Sequence, residues 1–392
     1  MSVPINRDSW LDQLRRRIPE ISPAQALAQQ ALGAVLIDVR EEAERAGGVP
    51  AHALGLSRGH LELRIEELQG DRDRPVLLLC ASGQRSLLAA ESLQRLGYRQ
   101  VSSIAGGFAR WKAEGLPIAA GTLDADAAER YARQLQLAQV GEHGQARLGA
   151  ARVAIVGAGG LGSPAALYLA AAGVGQLTLI DNDTVERSNL HRQVVHADAR
   201  VGMAKTESAR MALQALNPRV RVETRTERLD ATNVERLLAG HDLMLDGTDN
   251  FPARYLLACA SLRLKMPMIY GAVERFSGQL GVFDPRRDDS PCYRCLFPLP
   301  PSAADAPNCS EAGVLGVLPG IVGLLQATEA LKLILGLGEP LVGQLLSFDA
   351  LGMQFHKTRL PRNPDCPGCS PRASFAGYPQ IAALCSSGDR PD

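Results

Sequence analysis

Three observations in this sequence predict two successive α/β domains, the second built on a mostly parallel sheet. Short apolar runs alternate with helical stretches, as they do where strands are covered on both faces by helices. A G-x-G-x-x-G run, Gly157 to Gly162, stands between an apolar run and a helix opening at Ser163-Pro164. Between the two halves, Ala119-Ala120-Gly121-Thr122 follows Gly115-Leu116-Pro117 and interrupts the alternation.

Taken in order, residues 34–37 and 76–79 read as buried strands, and 86–96 as a helix with Leu88, Leu93 and Leu96 available for one face. Beyond the break, residues 153–156, 177–180, 243–245, 268–270 and 279–283 are strand candidates, and 204–216 is a helix ended by Asn217-Pro218. The nearly uncharged stretch 312–328 is broken by Pro319 and is shorter than the roughly 20 residues that span a bilayer, so it reads as a buried loop and core helix. Residues 371–392, rich in Ser, Pro, Gly and Ala, read as a mobile tail. The division expected is 1–118, a linker at 119–126, 127–370 and the tail.

Composition narrows the function. The 392 residues are 46% hydrophobic and 21% charged, so real cores form. Basic and acidic residues balance at 42 each, and aromatics are 4%, which removes both the broad positive field and the stacking surface that nucleic acid or an anionic membrane would engage. The first 20 residues carry Asp8, Asp12 and Arg15-Arg16-Arg17 with no apolar stretch behind them; no secretory signal is read there, and a cytoplasmic location is expected. In such a compartment eight cysteines point to metal or thiol chemistry.

The glycine run lets backbone amides approach a phosphate or ribose at a helix N-terminus, and Asp181, at the end of the next strand, suits ribose hydroxyls. Gly157, Gly159, Gly160 and Gly162 thus predict a Rossmann-like nucleotide site, with NAD and ATP as the alternatives. Ser188, Asn189, Arg192 and Lys205 follow, and their guanidinium and ammonium donors suit a triphosphate. Asp246-Gly247-Thr248-Asp249-Asn250 follows a strand, placing Asp249 at the carboxyl edge of the sheet, where a carboxylate can hold Mg²⁺. Hydride transfer needs none of these, so ATP is favoured.

In these segments, from about residue 123 to 370, the sequence resembles the ThiF/MoeB family of ubiquitin-activating-like adenylyltransferases. Arg130-Tyr131-Ala132-Arg133-Gln134 resembles the family's opening helix, which implies that Arg133 reaches into a partner protomer's ATP site and that the protein is a homodimer. The glycine loop, Asp181, Ser188 to Arg192, Lys205, Asp249 and Asn250 match the family's ATP and Mg²⁺ contacts, with His191 standing where glutamine is common. Asn308-Cys309-Ser310-Glu311-Ala312-Gly313 resembles the loop bearing its reactive cysteine. The resemblance implies adenylation of the C-terminal glycine of a small ubiquitin-like sulfur carrier ending in Gly-Gly. A carboxylate attacking the α-phosphate meets an anion, so positioning and charge neutralisation by Arg192, Lys205, Arg133 and Mg²⁺ carry the step.

Cys292-Tyr293-Arg294-Cys295 and Cys366-Pro367-Gly368-Cys369 form two C-x-x-C knuckles, 71 residues apart from Cys295 to Cys366. Together they offer four thiolates for a structural Zn²⁺; a redox pair is the alternative, but neither opens a thioredoxin-like βαβ unit. Cys259 reads as a small buried hydrophobe, and Cys385 has no argued role.

In the first half, Cys80-Ala81-Ser82-Gly83-Gln84-Arg85 lies between a strand and a helix, an anion cradle that lowers a thiol's pKa and holds the outer sulfur of a persulfide. Four residues separate Cys80 from Arg85, where a cysteine phosphatase needs five. With Asp38-Val39-Arg40-Glu41 upstream and Gly106-Gly107-Phe108 to Pro117 downstream, residues 34–117 resemble the rhodanese family, although Gly48-Val49-Pro50-Ala51-His52-Ala53 departs from its usual Gly-His-Ile-Pro-Gly-Ala. The resemblance implies that Cys80 carries a persulfide, that Arg85 steadies the loop, and that a small-molecule or protein sulfur donor loads it. The expectation for the whole is an adenylyltransferase fused to a sulfurtransferase, making a thiocarboxylate for a molybdopterin-type or thiamine-type pathway. Two alternatives stand beside it: a first domain that only docks or senses, and a nicotinamide oxidoreductase fused to a phosphatase.

Overall fold

The computed structural model describes residues 6–45, 48–119, 123–137, 139–300, 313–375 and 377–378. The chain forms two compact units, Met1–Ala146 and Arg147–Asp392.

In the first unit seven strands follow in order: β1 Glu20–Ile21, β2 Val35–Asp38, β3 Val49–Pro50, β4 Leu54–Gly55, β5 Val76–Leu79, β6 Val101–Ile104 and β7 Ile118–Ala119. Five make a parallel sheet in the order β1-β6-β5-β2-β4, and β3 pairs antiparallel with β7. Every residue of β2 and β5 is buried, which is why both read as uninterrupted apolar runs instead of alternating ones. One face packs Leu14, Ile37, Leu78, Leu87 and Tyr98, and the other packs Leu36, Leu77, Phe108 and Trp111. The helix Gln84–Arg95 buries Leu87 and Leu93 and leaves Leu88 and Leu96 at the margin.

The second unit continues with β8 Arg152–Val156, β9 Gln176–Ile180, β10 Arg221–Arg225, β11 Leu243–Asp246, β12 Met268–Glu274, β13 Ser277–Phe283, β14 Gln344–Asp349 and β15 Gln354–Arg359. They form one eight-stranded sheet in the order β10-β9-β8-β11-β12-β13-β14-β15. The five strands β10 to β12 are parallel, and β13, β14 and β15 extend the sheet antiparallel. The order reverses at β8, with β9 on one side and β11 on the other, and the crevice outside such a switch point is where open sheets take ligands.

The helix Leu318–Leu335 is long and apolar enough to cross a membrane by length and composition. Here it packs on β12 and β13 and buries two polar side chains. Gln326 donates to Asp246 O at 2.8 Å and Ile269 O at 3.0 Å, in space left because Gly271 has no Cβ. Glu329 accepts from Leu341 N at 2.9 Å and pairs with Lys332 at 2.6 Å. Buried polar groups bonded in this way to the sheet and to Leu341 mark a core helix of this unit.

Candidate functional site

Three segments converge at the carboxyl end of β8. Its glycine turn needs glycine at two places: Gly157 has φ +95° and a Cβ there would lie 2.6 Å from Gly247 O, while a Cβ on Gly162 would lie 1.9 Å from Gly157 O. The turn after β11 is therefore pressed against the glycine loop. The third segment lies across it: Gly160 has Pro319 and the Arg192 Cδ near its missing Cβ, and Gly159 faces Gln193 Nε2 at 3.5 Å.

Asp181, at the end of β9, accepts from Ala158 N at 2.7 Å and Asp183 N at 2.8 Å, which fixes it beside the loop. Burial pushes its carboxyl up from the ordinary value, against the opposing effect of Lys205. Lys205, the first residue of the helix Lys205–Leu216, pairs with Asp183 at 2.7 Å. Ser188 and Asn189 occupy a short 3-10 turn, where both side chains contact Glu186 Oε2, at 3.4 and 3.0 Å. Asn189 Oδ1 accepts from Arg192 Nη2, and His191 Nε2 lies 3.3 Å from Arg192 Nη1. Arg192 is thus oriented by an amide oxygen and an imidazole, neither a carboxylate, and its positive charge stays available to an anion. Asn250 caps the helix Phe251–Leu264 by accepting from Ala253 N at 3.0 Å, and Asp249 precedes it in the turn after β11.

Sequence reasoning passed over the groups that hold these in place. Buried His196 bridges Ala158 O at 3.0 Å and Ser208 Oγ at 2.9 Å, tying the glycine loop to the Lys205 helix, and burial pushes its pKa down to about 4, so it acts as a neutral strut. Asp183 was visible only as the second acid of Asp181-Asn182-Asp183. Arg254, taken up below, carried no signal beyond its place four residues after Asn250. Arg133 lies in the first unit, exposed on the short helix Ala132–Leu135. Cys309 and Glu311 lie outside the described residues, as does Cys385.

The four knuckle cysteines do come together. Their sulfurs lie within 4.8 Å of one another, with Cys292–Cys366 and Cys295–Cys369 each at 3.5 Å. Four-sulfur zinc with bonds of about 2.3 Å sets sulfurs roughly 3.8 Å apart, so the cluster fits a tetrahedral ion. Backbone amides of Asn363 and Gly368 point at Cys295 and Cys366 at 3.4 Å each, as expected around thiolates. Sharing a proton with Cys295 pushes the Cys292 thiol up and pulls the Cys295 thiol down; a bound cation would favour the thiolate form of both. Tyr293, between Cys292 and Cys295, packs its ring against Tyr255, Tyr270, Phe283 and Phe297. Cys259 is half-buried, and burial pushes its thiol up. Of the segment read as a tail, Phe375 lies under Arg263 and Tyr378 donates to Glu235 Oε1 at 2.7 Å.

In the first unit Cys80 follows β5 and is 1% exposed. Gly83 N donates to its sulfur at 3.1 Å and Ser86 Oγ lies 3.5 Å away, itself paired with buried Ser103 at 2.8 Å. Gly107, at φ +56°, lets the next helix approach so closely that a Cβ would lie 2.2 Å from Cys80 O. Arg85 takes both oxygens of Glu44, at 2.7 and 2.6 Å, which holds that carboxyl down at about 2 and braces the loop. Glu44, Ser86 and Ser103 were not singled out from the sequence; only Ser86, next to Arg85, had a positional cue.

Comparison with known proteins agrees with both halves. The ThiF family matches residues 131–368 and the rhodanese-like domain residues 22–114. The chain is similar to the SAMP-activating enzyme E1 of Haloferax volcanii, 51% identical over 63% of this chain and 91% of that one. The sulfur carrier protein adenylyltransferase of Thermus thermophilus is 48% identical over 66% and 96%. With the adenylyltransferase and sulfurtransferase MOCS3-1 of Zea mays the match is 44% identical over 65% of this chain but spans about half, 54%, of that protein. The solved structure of Escherichia coli MccB with ATP superposes with a TM-score of 0.54 at 24% identity, over 62% of this chain and 73% of that one, a likeness of fold.

Proposed function

The chain belongs to the ThiF family, and on that premise we propose that it adenylates the C-terminal glycine of a ubiquitin-like sulfur carrier and converts it to a thiocarboxylate with sulfur carried on Cys80. The adenylation half rests on one observation above all: the Arg192 segment and the turn bearing Asp249 both abut the glycine loop at the switch point. A carrier carboxylate oxygen bonds to the α-phosphorus of ATP, and pyrophosphate leaves with the bonding electrons. Gly157, Gly159, Gly160 and Gly162 with Asp181, Ser188, Asn189 and Asn250 bind and frame the nucleotide, while Arg192 and Lys205 meet its charge. Asp249 would hold Mg²⁺, which would supply positive charge against the phosphates. Arg133 completes the site from the partner protomer of a homodimer, and Zn²⁺ on Cys292, Cys295, Cys366 and Cys369 is structural.

For sulfur transfer, the outer sulfur of the Cys80 persulfide attacks the acyl-adenylate carbonyl and AMP leaves. A second thiol then cleaves the sulfur–sulfur bond, releasing the thiocarboxylate and leaving a disulfide. We assign Cys309 as the acyl or acyl-persulfide acceptor: Cys309→Ala keeps pyrophosphate exchange and impairs thiocarboxylate formation, and an unaffected sulfur step would make it a bystander. Arg85 steadies the loop, and the sulfur comes from a small-molecule or protein donor. A linker at 119–126 and a cytoplasmic location belong to the same proposal, while the compact units themselves divide later, between Ala146 and Arg147. A second reading, in which the rhodanese-like domain docks or senses, is favoured by the burial of Cys80.

The deciding experiment is mass spectrometry of candidate carriers, molybdopterin-type and thiamine-type, after incubation with enzyme, ATP and thiosulfate. A carrier that gains one sulfur and loses one oxygen identifies the partner; unchanged mass in every carrier overturns the reading. For the metal, one zinc per chain is expected by elemental analysis, and Cys366→Ser loses it with a fall in Tm on the order of 10 °C. Metal-free protein of full stability would refute the site.

A further inference from the structure

We propose that Asp246 and Arg254 are positioning residues that clamp Thr248 and so aim the next side chain, Asp249, at the divalent cation. The proposal rests on the reading of Asp249 given above and adds what holds that carboxylate in place. Asp246 ends β11 and is 0% exposed. Its Oδ1 accepts from Thr248 N at 3.0 Å and from Thr248 Oγ1 at 2.6 Å. Arg254, in the first turns of the helix Phe251–Leu264, reaches back to donate from Nη2 to Thr248 O at 3.0 Å. The pair thereby engages the amide, the hydroxyl and the carbonyl of Thr248, every polar group that residue has.

The clamp is closed on its other sides. Arg254 Nε lies 3.7 Å from Asp246 Oδ2, and its guanidinium lies 5.4 Å from the Tyr270 ring centroid and 5.7 Å from that of Phe251. Gln326 holds Asp246 O, and Gly247 is wedged against Gly157, where a Cβ on either would meet the other's carbonyl oxygen at 2.6 or 2.9 Å. The peptide that launches Asp249 is thus held on both sides, by the bonds to Thr248 and by the packing of Gly247 on the glycine loop.

Charge explains the choice of residues. Buried ion pairs contribute little net stability against apolar replacements of similar size, so their presence asks for another purpose. Burial, with Asp249 nearby, pushes the Asp246 carboxyl up, and Arg254 opposes this. The guanidinium beside Asp246 thus supports its acceptor role toward Thr248.

The test uses the full-length protein with MgATP as the probe. Calorimetry measures ATP affinity with and without Mg²⁺, and the readout is the gain in affinity that Mg²⁺ confers. Arg254→Met should cut that gain at least tenfold with metal-free ATP affinity within twofold of the parent. Thr248→Val removes one hydroxyl without leaving a buried unpaired charge, and should cut it about threefold with the fold intact. The pair Asp246→Asn with Arg254→Met, which removes both charges together, should match Arg254→Met. A full Mg²⁺-dependent gain in Thr248→Val and in the double variant would overturn the clamp, whatever their Tm. Asp249→Ala is run alongside: if it retains the gain, it is the reading of Asp249 that fails.

Discussion

Alanine at Asp249 or at Arg192 is expected to abolish carrier-dependent ATP–pyrophosphate exchange, by at least about 100-fold, with the fold retained. Exchange reports only the reversible formation of acyl-adenylate, so it isolates the phosphoryl chemistry from sulfur transfer. In the proposed reaction both side chains act on charge that develops as the carboxylate closes on the α-phosphate, and each removed donor or metal ligand in such a site costs roughly 3 kcal/mol of transition-state stabilisation. Arg192 is the cleaner of the two. Its polar partners are Asn189 and His191, so its loss leaves no buried carboxylate unpaired, and Tm should change little. Arg192→Lys should recover only part of the activity, because an ammonium lacks the planar fork. Undiminished exchange in either alanine variant would remove the adenylation assignment.

Cys80→Ala should preserve that exchange and stop thiosulfate-dependent thiocarboxylation, again by at least about 100-fold, since no other side chain replaces a covalent sulfur carrier. Thiosulfate should convert the parent protein to a species one sulfur heavier at Cys80, and cyanide should remove that sulfur as thiocyanate and return the thiol. The structure frames the carrier: Gly83 N donates to the sulfur at 3.1 Å, and Ser86 Oγ, which donates to Gly83 O at 3.0 Å, lies 3.5 Å from it. Full thiocarboxylation by Cys80→Ala with thiosulfate as the sole sulfur source would eliminate the donor role and leave a docking or sensing module.

What could be read from the sequence followed from local pattern. The strands β2, β5, β9 and β11 are buried throughout, and β8 in all but Arg152, so their mostly apolar residues stood out as runs, and the glycine turn and the knuckles are fixed spacings. The edge elements were not legible: β1, β3, β4 and β7 are two residues long, and all six residues of β15 are exposed, so neither run nor alternation marks them. The antiparallel extension beyond β12 was missed in part because β14 and β15 lie some 60 residues past β13 and their pairing is set by contacts distant in sequence. At the site, the residues that face a ligand belong to motifs, whereas those that orient them, His196, Glu44 and Arg254, are single side chains that tertiary packing brings back to a motif from another element. Such struts have no spacing rule.

The cysteine knuckles carry a mechanical consequence. With a metal joining all four sulfurs, the backbone from Cys295 to Cys366 is closed into a ring that contains the helix Leu318–Leu335, β14 and β15. Tension that has passed the contacts of Tyr378 and Phe375 then reaches Cys369 and Cys366 and can cross the metal–sulfur bonds to Cys292 and Cys295, a path in parallel with the backbone of the ring. The same closure means that one broken peptide bond anywhere inside the ring yields two ends but a single particle, since the metal–sulfur bonds join the pieces in addition to the pairing of β14 with β13.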